Sequence, residues 1–284
     1  MIISRTGSKL NTNYRKEADP MPNDSRFAVL IDADNVSVKY IKIILDEISK
    51  DGIATYKRIY GDWTNPALVS WKSTLLDNSV LPIQQYSYTT GKNYPDPAMI
   101  IDAMDILYSE QVDGFCLVSS DSDFTRLAAR LRESGMTVIG MGESKTPNSF
   151  IAACNKFKYL DILSAAEEDE PEEAHKPQSA QQSKKAPKKT KGKAEQKKSS
   201  GQELKTNLNT IRRALRTIVR ENSDEDNWIF IGKVGNILGK RYPDFDVRNY
   251  GFTKLTPFLD SLDMFEIKEE RMENGSPQYY IHLK

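Results

Sequence analysis

Short apolar runs rich in β-branched residues alternate with segments of helical periodicity from residue 26 to residue 164. This alternation is typical of repeated βα units, in which helices cover a mainly parallel sheet. Pro66 and Pro97 stand where first-turn prolines are tolerated, and Gly52 and Gly135 stand where helices end. We therefore predict an α/β fold with strands at 27–32, 54–60, 81–87, 114–119 and 136–141, a short sixth strand near 158–162, and helices at 38–50, 66–78, 97–110, 124–134 and 148–155.

Two segments lack this periodicity and divide the chain. Residues 165–201 contain almost no large apolar residue, and an acidic run is followed by nine lysines between Lys176 and Lys198. This composition predicts a disordered charged linker, which acts either as a solvated spacer or as a lysine arm for nucleic-acid phosphates. Residues 1–25 also read as a disordered extension, and Met21 is an alternative translation start to Met1.

Apolar periodicity returns between residues 202 and 284. A stripe of Leu and Ile residues at helical spacing begins this region, and alternating runs at 265–268 and 278–283 end it. Helices followed by a β-hairpin indicate a small winged-helix domain. The chain should therefore contain two domains, at 26–164 and at 202–284.

Polar side chains follow two of the predicted strands at the point where each strand ends. Asp32, Asp34 and Asn35 come after the first strand, and Asp121 and Asp123 come after the fourth. Because parallel strands present their carboxyl ends at one edge of a sheet, these side chains should lie close together. Crowded carboxylates repel one another unless a cation neutralises them, and oxygen ligands favour a hard divalent metal. Asp34, Asn35 and Asp123 are also placed to form an Asx turn or a helix N-cap.

A third acidic segment occupies residues 91–105. Asp96 directly precedes the helix that begins at Pro97, where a carboxylate serves equally well as a helix cap or as a metal ligand. Asp102 lies six residues further along that helix, so it faces a different direction, and its role stays open. Lys92 is a candidate phosphate contact in an otherwise ordinary turn.

The composition excludes several kinds of catalytic group and metal site. The chain has two histidines, His175 and His282, and neither lies in the first domain. Histidine bases and histidine metal sites are therefore excluded there, which leaves carboxylates and a metal ion. Cys116 and Cys154 have no CxxC partner, so we expect reduced, packed thiols. No run of eighteen apolar residues and no signal-peptide core occur in the sequence, and we expect a cytoplasmic protein without a membrane segment.

The first domain resembles the NYN domains, relatives of the PIN-like ribonucleases, and in particular their LabA-like bacterial branch. The motifs that carry this resemblance are Leu-Ile-Asp-Ala-Asp-Asn at 30–35, Gly-Lys-Asn-Tyr-Pro-Asp at 91–96, Ile-Asp-Ala-Met-Asp-Ile-Leu-Tyr at 101–108, and the segment 112–124 that ends in Ser-Ser-Asp-Ser-Asp-Phe. The resemblance implies a PIN-like fold and cleavage of RNA by water that Mg²⁺ or Mn²⁺ activates. It also implies that Asp32, Asp96 and Asp121 are metal ligands, while Asn35 and Asp123 support them or orient the substrate. Ser120 is a further candidate RNA contact.

The second domain resembles the OST-HTH domains, also called LOTUS domains. The supporting motifs lie at 228–235, 245–255, 265–267 and 279–281. The resemblance implies binding of single-stranded or structured RNA, or docking of a protein partner, and a flexible tether would raise the local RNA concentration. Candidate phosphate contacts are Arg212, Arg213, Arg216, Lys233, Arg248 and Lys254.

The sequence leaves rival functions open. We expect a metal-dependent ribonuclease, with internal cutting favoured over trimming from an end. One alternative is a non-catalytic RNA-binding adaptor that has lost turnover. Another is a phosphatase of the haloacid-dehalogenase type, since Asp32-Ala-Asp34 after a strand imitates its nucleophile motif, although Asn35 and Asp96 fit that family poorly. The RNA target, the preferred metal and the oligomeric state are not encoded in any motif, and a homodimer is one alternative.

Overall fold

A computed structural model describes residues 25–85, 97–168, 206–272 and 275–284 of the chain. The first domain contains a six-stranded parallel sheet in the order β3-β2-β1-β4-β5-β6. The parallel α/β prediction is confirmed. The strands are β1 (Arg26–Asp32), β2 (Ile53–Gly61), β3 (Leu81–Gln84), β4 (Gly114–Val118), β5 (Thr137–Gly142) and β6 (Lys156–Tyr159).

Helices cover both faces of this sheet. They are α1 (Ile41–Ser49), α2 (Trp71–Asp77), α3 (Pro97–Tyr108), α4 (Thr125–Glu133), α5 (Asn148–Ala153) and α6 (Leu160–Glu168). One core lies beneath α1, α2 and α6, and a second lies beneath α3, α4 and α5. β1 and β4 are buried on both faces, which explains their continuous apolar sequence.

Local differences from the predicted elements have physical causes. The predicted strand near 158–162 occupies 156–159 instead, and a helix begins at Leu160 because Leu160 and Leu163 bury one helical face in the core. Gly135 has a left-handed φ of 82° after α4, as a helix-ending glycine should. Gly52 has a different role, since a Cβ there would lie 2.1 Å from the Ser25 carbonyl oxygen.

The second domain has the predicted winged-helix architecture. Its elements are α7 (Leu208–Asn222), β7 (Ile229–Phe230), α8 (Ile231–Arg241), α9 (Leu255–Ser261), β8 (Phe265–Arg271) and β9 (Pro277–Leu283). The strands form an antiparallel sheet in the order β7-β9-β8. The apolar stripe of α7 packs into a separate core that Phe258 and Ile281 share.

The second domain packs against the edge strand of the first. The Phe157 amide of β6 donates to the Pro243 carbonyl (2.7 Å), and the Tyr159 hydroxyl donates to Asp244 Oδ2 (3.1 Å). Arg248 forms a bidentate pair with Glu47 of α1, at 2.6 and 2.9 Å. These contacts join the two domains directly, while the expected tether itself lies outside the described residues.

Several predictions fall partly or wholly outside the described residues. The N-terminal extension and nearly all of the charged linker lie there, while α6 continues to Glu168, beyond the predicted boundary at residue 164. Asp96 and Lys92 also lie outside the described residues. None of the helices within the described ranges combines the length and the hydropathy that a membrane crossing requires.

Candidate functional site

The sheet changes its direction of winding between β1 and β4. From β1 the chain first adds β2 and β3 on one side, and then crosses over to add β4, β5 and β6 on the other. In open parallel sheets, such a point leaves a crevice beyond the carboxyl ends of the two central strands. Asp32 ends β1, and Ser119 directly follows β4, so both residues stand at this crevice.

The Asp32 side chain is buried and fully held by hydrogen bonds. Its Oδ2 accepts from the Ser119 hydroxyl (2.7 Å) and from the Asn35 side-chain amide (2.8 Å). Its Oδ1 accepts from the backbone amides of Asp34 (3.1 Å) and Asn35 (3.3 Å). Asp32 therefore forms the Asx turn that the sequence assigned to Asp34 or Asn35. The following 3-10 helix begins at Val38 with Ser37 at its N-cap, so neither Asp34 nor Asn35 caps it.

Burial leaves this carboxylate electrostatically uncompensated. Asp32 is 1% exposed, and burial raises its pKa although the bonds from Ser119 and Asn35 act in the opposite direction. Burial also raises the pKa of Asp34, and the charges of Asp32 and Asp62 add to that effect. Within the described residues, no Lys or Arg forms an ion pair with Asp32. A cation bound here would remove the desolvation penalty of the charged form.

Ser119 connects the two acidic strand ends. Its hydroxyl donates to Asp32 and accepts from the backbone amide of Asp121 (3.0 Å). Asp121 Oδ1 accepts from the Asp123 amide (2.9 Å), so Asp121 rather than Asp123 caps the next 3-10 helix. Asp121 is partly exposed and Asp123 is exposed, which leaves carboxylate oxygens of both residues open to solvent.

A close packing of loops supports this arrangement from β5. The Ser120 hydroxyl accepts from the Glu143 amide (2.9 Å), so this candidate RNA contact is engaged in joining the two loops. Gly142 lies beneath them, and a Cβ there would lie 2.6 Å from the Ser119 carbonyl oxygen and 3.0 Å from Ser120 Oγ. Contacts this short require something to move, so only glycine leaves the Ser119 segment in place.

Asp102 belongs to a different network. Its carboxylate accepts hydrogen bonds from Arg58 and from the Tyr60 hydroxyl, and it forms an ion pair with Arg58. Burial raises the Tyr60 pKa, and the bond to Asp102 raises it further. A carboxylate already neutralised by Arg58 has less need of a metal ion than Asp32 has. Asp105, three residues on, is exposed.

The donor set suits a hard divalent cation but is incomplete in the described residues. Asp32, Asp121 and their neighbours offer oxygen atoms, the ligands that Mg²⁺ and Mn²⁺ prefer. In the part of the chain that the structure describes, no three His, Cys, Asp or Glu side chains converge closely enough to hold a metal ion. Asp96, the third expected ligand, lies outside that part and directly precedes the first residue of α3 in the sequence.

Comparisons with known protein families agree with the two-domain architecture. The family model for the NYN domain matches residues 26–161. These residues form an NYN domain. The family model for the OST-HTH/LOTUS domain matches residues 203–277, which is the second domain of the structure. The LabA-like subtype is not distinguished by these matches.

Comparisons with curated proteins and with solved structures give no further information on function. No curated protein matches the chain. A crystal structure of a protein of unknown function from Vibrio parahaemolyticus is 18% identical, with a TM-score of 0.43, and the match covers 50% of this chain and 96% of that one.

Most cations predicted as RNA contacts of the OST-HTH domain are on its surface. Arg213 and Arg216 are exposed on α7, and Lys233 and Lys254 are exposed elsewhere in the domain. Arg212 is partly buried. Arg248 is the exception, because all three of its guanidinium nitrogens bond to Glu47 or Asp246, which leaves little capacity for a phosphate.

Sequence reasoning overlooked Ser119 and Gly142 as members of the NYN site. Ser119 was visible as the first polar residue after a buried strand, a position from which a side chain reaches the crevice. Gly142 had the weaker signal of a glycine at the end of the neighbouring strand. The contact that gives each residue its role joins segments far apart in the sequence, such as Asp32 and Ser119, which are 87 residues apart.

Proposed function

We propose that the protein is a metal-dependent ribonuclease whose reaction takes place at the crevice between β1 and β4. An NYN domain indicates a nuclease-like ribonuclease, and an OST-HTH domain indicates RNA binding. The observation that supports the metal dependence is the buried, uncompensated carboxylate of Asp32, joined to the Asp121 loop through Ser119. We expect internal cutting rather than trimming from an end.

The proposed ligands are Asp32 and Asp121, with Asp96 added on the strength of the family resemblance. A Mg²⁺ or Mn²⁺ ion held by these residues would supply activated water and would neutralise charge on the scissile phosphate. Ser119 holds the Asp32 carboxylate in one orientation by its hydrogen bond (2.7 Å). The Asn35 side-chain amide donates to the same oxygen (2.8 Å), and the backbone amides of Asp34 and Asn35 hold the other oxygen. Asp123, which is exposed beside Asp121, is placed to orient RNA or an attacking water.

A comparison of two proteins under three metal conditions tests this function. Labelled single-stranded and structured RNAs and DNAs are incubated with wild-type protein and Asp121→Asn, each with Mn²⁺, Mg²⁺ or EDTA. We expect RNA cutting that needs metal and is lost in Asp121→Asn. Asp105→Asn is the matched control, because Asp105 is an exposed acid of the same domain outside the crevice. It should cut at the wild-type rate.

The adaptor function is the outcome that the same experiment would favour if cutting fails. Its supporting observation is that the described acids alone do not converge into a metal site. Wild-type protein that binds RNA but cuts none of the substrates with either metal would contradict the nuclease. The buried free thiols of Cys116 and Cys154 accord with action in a reducing compartment such as the cytoplasm.

A further inference from the structure

A groove separates the two domains below their contact. It encloses about 890 Å³. One wall comes from the end of α1 and the start of β6, and the other comes from α8 and the segment that follows it. These parts of the NYN domain lie at the amino ends of the strands, so the groove is at the opposite edge of the sheet from the acidic crevice.

The groove is basic. Seven of its lining residues are Lys or Arg and three are Asp or Glu, which gives a net charge of +4. The three acids are Glu47, Asp51 and Asp246, and each already pairs with a cation of the groove. The three acids are shared by four paired cations, Lys50, Lys156, Lys158 and Arg248, so these pairs leave one positive charge.

Three exposed cations carry the other three of the four net charges. Arg132, Lys240 and Arg241 line the groove, and within the described ranges none of them pairs with a carboxylate. Arg132 donates through Nη1 to the carbonyls of Ala152 (2.9 Å) and Ala153 (3.0 Å) at the end of α5. The Arg241 guanidinium lies over the Tyr242 ring. Their positive charges are thus left for an external anion.

The α8 wall offers close approach to its backbone. Gly235 and Gly239 are one helical turn apart, and both line the groove. A Cβ at Gly239 would meet nothing within 4 Å, so this position opens into empty space. A chain in the groove can therefore approach the helix backbone at Gly239, whereas a Cβ at Gly235 would lie 2.8 Å from Leu255 Cδ2 of the same domain.

We propose that this groove holds the phosphate backbone of single-stranded RNA. The inference rests on the proposed function, since it assigns a holding site to the substrate of the acidic crevice. Lys and Arg without acid partners attract phosphodiesters by releasing counterions. A positively charged groove that follows the backbone is a typical site for single strands, whereas double-stranded RNA-binding domains read a surface that spans about 16 base pairs, so we assign a single strand.

Gly239 allows a test in which no native side chain is lost. The variants are Gly239→Glu, Gly239→Gln and Gly239→Lys, each made in the full-length Asp121→Asn chain. Replacement of a helical glycine raises helix propensity, so folding should be preserved, and thermal denaturation checks this. Binding to a fluorescent single-stranded RNA is measured in EDTA by anisotropy, at about 50 mM and about 200 mM salt.

We expect the affinity to follow the introduced charge. Gly239→Glu should bind roughly three- to tenfold more weakly than Gly239→Gln at the lower salt, and Gly239→Lys should bind more tightly. The differences should shrink at the higher salt, because counterions screen them. Single-stranded DNA should show the same order, while duplex RNA should show no dependence on the residue.

Equal affinities in the three variants would overturn the proposal. A charge effect confined to duplex RNA would overturn the assignment to a single strand. Because binding is measured without metal in an Asp121→Asn chain, the result does not depend on cleavage. Normal metal-dependent cleavage by the wild type with no effect at Gly239 rejects the groove alone. A charge effect at Gly239 with no cleavage by the wild type rejects the nuclease alone.

Discussion

Asp32 and Glu47 are both buried carboxylates of the NYN domain, yet their environments are opposite. Asp32 is 1% exposed and Glu47 is 4% exposed. Burial raises the pKa of Asp32, and its neighbours are a serine, an asparagine and backbone amides. Burial acts on Glu47 in the same direction, but hydrogen bonds from Arg248, Lys50 and Lys158 outweigh it and lower the pKa.

The two carboxylates therefore have different roles: Glu47 stabilises the fold, and Asp32 is a candidate metal ligand. Glu47 has its counter-charges within the protein, and one of them, Arg248, comes from the other domain. Asp32 has none among the described residues, although four hydrogen bonds fix its orientation. A buried charge that is oriented but not neutralised is destabilising by itself, so it indicates a partner from outside the chain.

Removing the charge of Asp32 should have the largest effect on activity and a small effect on stability. Asp32→Asn should slow RNA cleavage by about a thousandfold or more, since metal assistance contributes several kcal/mol to the barrier. Its melting temperature should stay close to that of the wild type, because removal of the uncompensated buried charge offsets the hydrogen bonds that the new NH2 group cannot accept. Initial rates with Mn²⁺ and thermal denaturation in EDTA measure the two effects. A large drop in both would indicate a structural role for Asp32.

Removing the charge of Glu47 should have the reverse effects. Glu47→Gln should lower the free energy of unfolding by about 3 kcal/mol, since Lys158 and Arg248 lose one of their two acid partners. Urea denaturation followed by circular dichroism measures this loss. Lys50→Ala is the control, because the Lys50 side chain is exposed and should contribute less than about 1 kcal/mol. The cleavage rate of folded Glu47→Gln should be unchanged on short RNAs.

Gly142→Ala should disturb the crevice without touching an acid. The added Cβ meets the Ser119 carbonyl and the Thr146 hydroxyl, and displacement of Ser119 moves the bridge between Asp32 and Asp121. We expect cleavage to fall by about ten- to a hundredfold, mainly in kcat, because the effect is on geometry. Asp105→Asn is the control, since Asp105 is exposed and lies outside the crevice, and it should cut at the wild-type rate. Equal rates for Gly142→Ala and the wild type would argue against a positioning role.

The Glu47 network also predicts a pH dependence. The pKa of Glu47 is lowered below its ordinary value of 4.5. The stabilisation that its ion pairs give to the folded state is therefore complete above pH 4.5, and it is lost as the pH falls through the folded-state pKa of Glu47. The difference in melting temperature between the wild type and Glu47→Gln should therefore be constant from about pH 8 to about pH 5 and should shrink in more acidic buffer. A difference in melting temperature that grows on acidification would contradict a lowered pKa for Glu47.

The two cysteines should show the smallest effect. Burial raises the pKa of Cys116 and of Cys154 to about 12, so neither forms an appreciable thiolate near neutral pH. The native protein should not react with a thiol reagent such as dithionitrobenzoate over minutes, whereas the urea-unfolded chain should react at both cysteines. Rapid reaction of the native protein would show that one thiol is accessible.

Much of the NYN domain was predictable because its signals are local. The apolar runs of β1 and β4 mark buried parallel strands, and their order in an α/β sheet brings Asp32 and Asp121 to one edge. Other features depend on pairs that are distant in sequence. Arg248 reads as an RNA contact from its charge alone, but its partner Glu47 is 201 residues away, and no local pattern indicates that pairing. The bridging role of Ser119 likewise depends on a partner 87 residues away. The capping role of Asp121 is a local contact with the Asp123 amide, and the sequence pattern favoured Asp123 as the cap instead.

The most direct test of a cation site at Asp32 is the change in melting temperature that Mn²⁺ causes relative to EDTA. Wild type, Asp32→Asn and Glu47→Gln are compared in the same buffer. Binding to the folded state alone raises the melting temperature, so we predict an increase for the wild type and a similar increase for Glu47→Gln. Asp32→Asn should show no increase. An equal increase in Asp32→Asn, or none in the wild type, would contradict the assignment of Asp32 as the carboxylate that a metal ion neutralises.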